Sequence, residues 1–521
     1  MTSDVNEYLE NILDDVGGLG LFQWILITIV LGSKISVSWS TLMMTFGGAV
    51  PDWHCFWTTV NGTEYYTNQT FMKTCELYNT SEPVMCQSQI YDPDMATVVS
   101  EWDLVCEKDW IASTITTIQM GGLLFGGFVS GQLADVLGRK FTYFAALFIL
   151  LVFNGAAAFS TSWEMFAVFR FFIGIGCGFY LTVYFTFLIE FTPRTYRSML
   201  VALPFWPIFC IIYACLCWWL HEWKYIQLAI AATNIPFILA IFFVPESYRW
   251  LVSNGKIAKA HSVIAKIAKI NGKPPPDFKT FYEMASQATK QKSTEKRYTI
   301  LDVIKNRRLL RYNVLLSVGW LSCGYGYYAI SFGVQQLSGN LYVNLILINA
   351  MDIIGIVVWY LANCLGRKWT TFMLFLIGGS MGIVVGIIQF IDLSDKDELV
   401  NGFALASKLC VSSGWSALMI LTSELYPTVV RNIGYGINNA VARLGAMVAP
   451  QLVFASEKID GLSYLSFAGM MFLSAILVVT LPETNKTALQ DTMDITISQK
   501  KSDKQSIMNP GYEKENYGTI D

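Results

Sequence analysis

The chain has 521 residues, of which 54% are hydrophobic and 14% charged, with a mean hydropathy of +0.44. Soluble globular chains carry roughly a quarter charged residues, so this composition excludes a soluble protein and defines a polytopic membrane protein. A formal net charge of -3 removes nucleic acid as a partner, because binding a phosphate backbone needs a basic patch that can release counterions.

Residues 1–19 hold Asp4, Glu7, Glu10, Asp14 and Asp15 and no cation, so a cleavable signal peptide is not expected. Crossing the hydrocarbon takes about 20 largely apolar residues. Twelve stretches meet that need: 20–49, 111–133, 141–161, 165–189, 198–219, 225–244, 313–334, 342–363, 370–391, 400–423, 432–455 and 463–482. The chain therefore reads as all-α, with a six-helix half over 20–244, a basic linker over 245–312, a second six-helix half over 313–482 and a polar tail over 483–521. Arg139, Lys140, Arg194, Arg197, Arg367, Lys368, Arg431 and the linker occupy alternate loops. Cationic loops stay in the cytoplasm, so both termini are expected there.

The large loop over 50–110 lies on the opposite side. It carries Cys55, Cys75, Cys86 and Cys106 and the glycosylation acceptors Asn61, Asn68 and Asn79, all features of an oxidising exterior. Disulfides are expected among the four cysteines, with three pairings open. The remaining cysteines sit in or beside spans without metal-ligand spacing, so no metal or cofactor is expected. In the linker, Lys256, Lys259, Lys266 and Lys269 alternate with Ile257, Val263, Ile264, Ile267 and Ile270 in a helical pattern suited to lying on the inner leaflet. Pro274, Pro275 and Pro276 interrupt it, and the polar stretch that follows reads as a mobile linker.

Short motifs recur in the two halves. Gly131-Gln-Leu-Ala-Asp135-Val-Leu-Gly138-Arg139-Lys140 follows the second span, and Asn363-Cys-Leu-Gly366-Arg367-Lys368 follows the eighth. The fourth span ends in Glu190-Phe-Thr-Pro193-Arg-Thr-Tyr-Arg197 and the tenth in Glu424-Leu-Tyr-Pro427-Thr-Val-Val-Arg431. Pro245-Glu246-Ser247 and Pro482-Glu483-Thr484 follow the sixth and the twelfth. Three matches in one order and phase mark an internal repeat. The charges predict gating residues, Asp135, Gly138, Arg139, Glu190, Arg197, Arg367, Glu424 and Arg431, pairing between the halves as a cytoplasmic latch that is closed in one state and broken in the other.

The loop 131–140 resembles the signature of the major facilitator superfamily. Val16-Gly-Gly-Leu-Gly-Leu-Phe-Gln23, Pro51-Asp-Trp-His-Cys55, Glu101-Trp-Asp-Leu-Val-Cys106, Pro245-Glu-Ser-Tyr-Arg249-Trp-Leu and Glu424-Leu-Tyr-Pro-Thr-Val-Val-Arg431-Asn make the chain similar, along nearly its whole length, to organic ion transporters of solute carrier family 22. That resemblance implies a twelve-helix major facilitator fold, alternating access, and small organic anions, cations or zwitterions as cargo.

Ionisable residues at mid-depth are costly and mark function by default. Lys34, Asp352 and Arg443 each lie ten to twelve residues into a span, near the midplane at about 1.5 Å per residue. Two cations against one carboxylate favour an anionic cargo, although Lys34 is also a candidate ion-pair partner for Asp352. Within the family, Arg443 in Ala442-Arg-Leu-Gly-Ala-Met-Val-Ala-Pro450 resembles the arginine of anion and carnitine-type members, where cation carriers have aspartate. Tyr184, Trp206, Tyr213, Trp320, Tyr325, Tyr328 and Tyr435 are candidate pocket aromatics, and Gln119, Asn438 and Asn439 candidate polar groups.

An enzyme is not expected, since His54, His221 and His261 are scattered and no nucleophile motif emerges. No G-x-x-x-x-G-K-[ST] loop is present, so transport would be facilitative, by exchange or coupled to an ion. No filter-like repeat suggests a channel. The expectation is a monomeric plasma-membrane organic anion carrier, with a carnitine-like zwitterion or an organic cation as the alternative cargo and a channel as the remoter reading.

Overall fold

The computed structural model describes residues 2–58, 64–66, 75–77, 84–85, 88–294, 299–391, 395–427 and 429–485. Helix α1 (Thr2–Asp15) precedes a first column made of three pieces, α2 (Leu21–Gly32), α3 (Lys34–Leu42) and α4 (Met44–Gly47). The loop that follows carries strands β1 (Trp53–Thr58), β2 (Glu64–Tyr66), β3 (Glu76–Leu77), β4 (Val84–Met85) and β5 (Ser88–Tyr91), then α5 (Val98–Glu101). Antiparallel pairing orders them β2-β1-β5 and β3-β4. Cys75 and Cys106 form a disulfide, whereas Cys86, Asn61, Asn68, Asn79 and the tail from residue 486 lie outside the described residues.

The first half continues with α6 (Trp110–Val136), α7 (Arg139–Ala157), α8 (Trp163–Ile189), α9 (Arg194–Ala202), α10 (Phe205–Leu220) and α11 (Trp223–Leu239). The linker forms α12 (Tyr248–Ser253), α13 (Ile257–Ile270), α14 (Phe278–Thr294) and α15 (Ile300–Lys305). The second half comprises α16 (Arg307–Phe332), α17 (Leu341–Ile354), α18 (Val358–Leu365), α19 (Arg367–Phe390), α20 (Lys396–Leu425), α21 (Arg431–Ala455) and α22 (Leu462–Val479).

Among the described residues, eight helical stretches are long and apolar enough to cross a bilayer: Leu21–Gly47, Cys106–Val136, Arg139–Ala157, Trp163–Ile189, Trp223–Phe242, Arg367–Phe390, Lys396–Leu425 and Leu462–Val479. Phe205–Leu220 and Leu341–Ile354 are apolar but shorter. Helices α16 and α21 have the length, at 26 and 25 residues, but Ser, Asn, Gly and Tyr dilute their hydropathy. Those residues are used between the two helices. A Cβ on Gly324 would overlap the carbonyl of Ala442, so α16 and α21 touch backbone to backbone.

The linker is built differently from its sequence reading. Helix α13 buries Ile257, Ala260, Ile264, Ile267 and Ala268 in protein instead of resting on the leaflet. The polar stretch after the three prolines is helix α14, not a mobile linker. Asp277 starts it by accepting hydrogen bonds from the backbone and hydroxyl of Thr280, both at 2.9 Å. Phe281 and Ala285, four residues apart, are then buried together.

This linker bundle is tied to α1 by charge. The Glu10 carboxylate meets Arg249 at 2.7 Å, Arg197 at 3.0 Å and Arg194 at 3.1 Å. Asn271 adds bonds to the backbone of Phe22 and Val16 and to Gln23, each at 3.0 Å. Burial works to raise the Glu10 pKa, but Arg249, Arg197 and Arg194 outweigh it and hold the group below its ordinary 4.5. The pair's contribution is therefore complete above the ordinary carboxylate value and is lost as pH falls through the lowered one. Glu10→Gln is expected to cost about 2 kcal/mol of stability at neutral pH and to expose α1 to limited proteolysis. An unchanged melting temperature and cleavage pattern would contradict this anchor.

Candidate functional site

The two faces of the helical body can be told apart by what they carry: the linker on one, the 50–110 loop on the other. At the loop face the halves are joined. Gln335 Nε2 donates to the carbonyls of Met44 (3.2 Å) and Thr45 (3.1 Å), Gln451 Nε2 to Thr117 Oγ1 (3.1 Å), and Lys458 pairs with Asp109 at 3.5 Å. Near mid-depth Trp206 Nε1 donates to the Tyr327 hydroxyl at 3.1 Å, and Arg443 Nη1 to the Leu123 carbonyl at 3.4 Å.

At the linker face the repeated motifs pair, in the state described here, within their own halves rather than across them. Arg139 reaches Asp135 at 2.7 Å and Glu190 at 3.3 Å. Arg367 reaches Glu424 at 3.2 Å and, in the slot of the missing aspartate, bonds Asn485 at 2.8 Å. Gly138 (φ +112) and Gly366 (φ +95) take left-handed backbone beside the carboxylates of Glu246 and Glu483. Those carboxylates cap the next helix, Glu246 accepting from the amide of Lys140 at 3.0 Å and Glu483 from that of Arg367 at 2.9 Å. Burial raises the Glu246 pKa against the lowering effect of these amide bonds. Arg197 is held by Glu10, whereas buried guanidinium nitrogens of its repeat-mate Arg431 have no hydrogen-bond partner among the described residues.

Between the faces lies the charged centre. Lys34 opens α3, with Nζ 4.9 Å from the ring centroid of Tyr184, which stacks on Tyr180 at 5.1 Å. Across from it, Arg443 sits within electrostatic range of Tyr328 and Cys177, and Tyr435 within range of Tyr184. Tyr435 also meets Trp320 edge to face at 5.1 Å. Asn439 is half-buried on the same helix as Arg443. Lys34, Tyr184, Arg443, Tyr328 and Tyr435 are thus brought together from both halves.

Asp352 is already engaged, and not by Lys34. Its partner is Lys408 of α20, at 3.9 Å, with the Tyr327 hydroxyl donating to the same oxygen at 2.9 Å. Lys408 is fully buried, donates to Ser331 Oγ at 2.7 Å and lies 3.1 Å from the Tyr327 ring centroid. A second buried cation, Arg170 of α8, donates to the Ser40 carbonyl at 3.2 Å and to Met43 Sδ, and no carboxylate lies within ion-pair distance of it among the described residues. Neither Lys408 nor Arg170 was singled out in the sequence; Lys408 lies eight residues past the start of the span 400–423, close to the depth that marked Arg443, whereas Arg170 lies only five residues past the start of the span 165–189.

Several expected pocket residues are instead spent on packing. Gln119 is fully buried and bonds the Ser40 carbonyl at 2.9 Å. The Tyr213 hydroxyl bonds the Met43 carbonyl at 3.1 Å, and the Tyr325 hydroxyl turns to Ser463 and Ser466 on α22. Trp320 donates to Thr422 at 2.9 Å and Asn438 to Tyr426 at 3.3 Å. These hydrogen bonds hold helices together around the centre.

An all-helical body of two pseudo-symmetric halves around a charged centre defines a major facilitator transporter, and comparison with known proteins agrees. The fold aligns with the inward-open xylose transporter XylE of E. coli at a TM-score of 0.63 and 15% identity, covering 90% of this chain and 98% of that one. The family model "Sugar (and other) transporter" matches residues 39–494. Mouse (Mus musculus) organic anion transporter 3 is 30% identical over 93% of this chain and 93% of its own. Mouse solute carrier family 22 member 21 is 30% identical over 82% and 77%, and mouse organic cation/carnitine transporter 2 is 30% identical over 78% and 72%. The chain belongs to the sugar (and other) transporter family and, within it, to solute carrier family 22. It is a secondary transporter of the membrane, not an enzyme.

Removing one member of a buried pair strands the other. Lys408→Gln alone is expected to lower stability by about 3 kcal/mol, whereas Lys408→Gln with Asp352→Asn should recover most of the loss in a double-mutant cycle of melting temperatures. Equal damage from the single and the double substitution would show that the two residues are not coupled.

Proposed function

We propose that this transporter carries small organic anions across the plasma membrane by alternating access, with both termini and the linker in the cytoplasm. One observation carries the reading: Asp352, the mid-membrane carboxylate that could attract an organic cation, is already matched by Lys408 and Tyr327. Lys34, Arg170 and Arg443 have no carboxylate within ion-pair distance among the described residues. Each uncompensated charge at mid-depth costs about 3 kcal/mol, and a substrate carboxylate, sulfate or phosphate offsets part of that on binding. Arg443 is the main charge partner, because its fork gives bidentate geometry and because it already contacts the opposite half. Lys34 is the second, and Tyr184, Tyr328 and Tyr435 form the aromatic wall.

The bonds that join the halves at the loop face support an inward-facing state, the linker-face pairs being free to exchange partners when the halves rock. A coupling ion or an exchanged substrate supplies the driving force. A monomer suffices for this cycle. A carnitine-like zwitterion is the second reading. It is favoured by the relative named for carnitine and by the long 3.9 Å separation of Lys408 from Asp352, since release of Asp352 would offer a quaternary ammonium its partner.

Arg443→Ala is expected to reduce anion uptake by at least about a hundredfold, the loss of one charge-assisted bidentate contact of about 3 kcal/mol, with surface expression unchanged. Normal transport by a variant that reaches the surface would remove Arg443 from the substrate site.

A further inference from the structure

Beside Leu123 and Arg443 on α6 and α21, the halves part along a groove of about 420 Å³. Leu124 and Phe128 of α6 line it from the first half; Leu310 of α16 and Leu444 of α21 line it from the second. Ile300 and Ile304 of α15 close its end. The one polar side chain in its wall, Asn313, is turned to the Tyr426 hydroxyl at 3.0 Å. Phe128, Ile300, Ile304, Leu310 and Leu444 nevertheless remain exposed. A small organic anion would find no polar contact on such a lining, whereas a hydrocarbon chain would find nothing else.

The rim has the opposite chemistry. Asp302 and Thr299 close a capping box at the start of α15, with the Thr299 amide donating to Asp302 at 2.7 Å. Asn306 starts α16 by accepting from the amides of Arg308 (3.1 Å) and Leu309 (3.4 Å). This elbow fixes Lys305, Arg307, Arg308 and Arg311 in an exposed cluster at the linker-side end of a spanning helix. The carboxylate of this segment, Asp302, is spent in the cap. Four cations at the end of a spanning helix are the electrostatic pattern that attracts anionic lipid headgroups.

From the groove and rim together we infer that an anionic phospholipid occupies this seam, one acyl chain between α6 and α21 and its phosphate on Arg307, Arg308 and Arg311. Because α6 and α21 belong to opposite halves, rocking changes the width of the seam. A lipid that fills it binds one state more tightly than the other and shifts the population towards the arrangement described here. The inference stands apart from the question of substrate, and its test does not use uptake.

The test is native mass spectrometry of the purified full-length chain, titrated with phosphatidylserine, with phosphatidylcholine, or with the soluble headgroup glycerophosphoserine. Phosphatidylserine is expected to be retained in preference to phosphatidylcholine, and glycerophosphoserine not to displace it. Arg307→Gln, Arg308→Gln and Arg311→Gln should each weaken phosphatidylserine about fivefold, the worth of one surface cation, without altering phosphatidylcholine. Ala440→Phe, which fills the groove from α21, should weaken both lipids. Equal retention of the two lipids by the wild type, displacement by the soluble headgroup, or wild-type binding by the arginine variants or by Ala440→Phe would each overturn the inference.

Discussion

A charge inside hydrocarbon must be compensated, and the arrangement of this transporter follows from where the compensation comes from. Asp352 and Lys408 neutralise one another within the second half, with the Tyr327 hydroxyl donating to the same Asp352 oxygen and Ser331 accepting from Lys408. Lys34 and Arg443 have only aromatic faces, a backbone carbonyl and each other's half of the molecule to meet. At about 3 kcal/mol per uncompensated cation, the centre is costly without an anion and relaxed with one. Under the proposed function that cost is the means of selection: a cation would be penalised twice, by repulsion from Arg443 and Lys34 and by the occupied state of Asp352.

The same accounting gives each half its rigidity at the linker face. Arg139 with Glu190, and Arg367 with Glu424, repeat one geometry at 3.3 Å and 3.2 Å. Glu246 and Glu483 repeat another as caps over Gly138 and Gly366. These bonds keep helices of one half together while leaving the other half free, which is what rigid-body rocking requires. The repeat breaks at one point. Arg197 has Glu10 of α1 as its counter-ion, and Arg431 has no equivalent among the described residues, so the two halves are anchored unequally to what lies beneath them.

Much of this was legible in the sequence, and what was not follows from a single cause. Hydropathy located the columns, since each apolar stretch corresponds to a helix or to a chain of short helices, and the motif repeat predicted which charges would recur. Partners were not legible, because periodicity says which residues share a helix face but not which helices are neighbours. Lys34 was therefore a plausible mate for Asp352 until α17 was seen beside α20. The partners of the motif charges likewise became visible only in the fold, as pairs within each half in the state described. Helix α14 read as linker because its apolar residues are few, and the two it buries, Phe281 and Ala285, acquire meaning once α1 and α12 are packed against it. Gln119, Tyr213 and Tyr325 read as pocket residues because a buried polar group and a substrate-facing one look alike until their acceptors are seen.

The most direct test of the charge argument is uptake of three labelled compounds, an aromatic carboxylate, a quaternary ammonium and carnitine, into cells expressing the wild-type chain. Saturable uptake of the carboxylate alone is the predicted result. Carnitine uptake would move Asp352 from internal ion pair to substrate partner, and uptake of the quaternary ammonium alone would contradict the account of the centre as an uncompensated positive site.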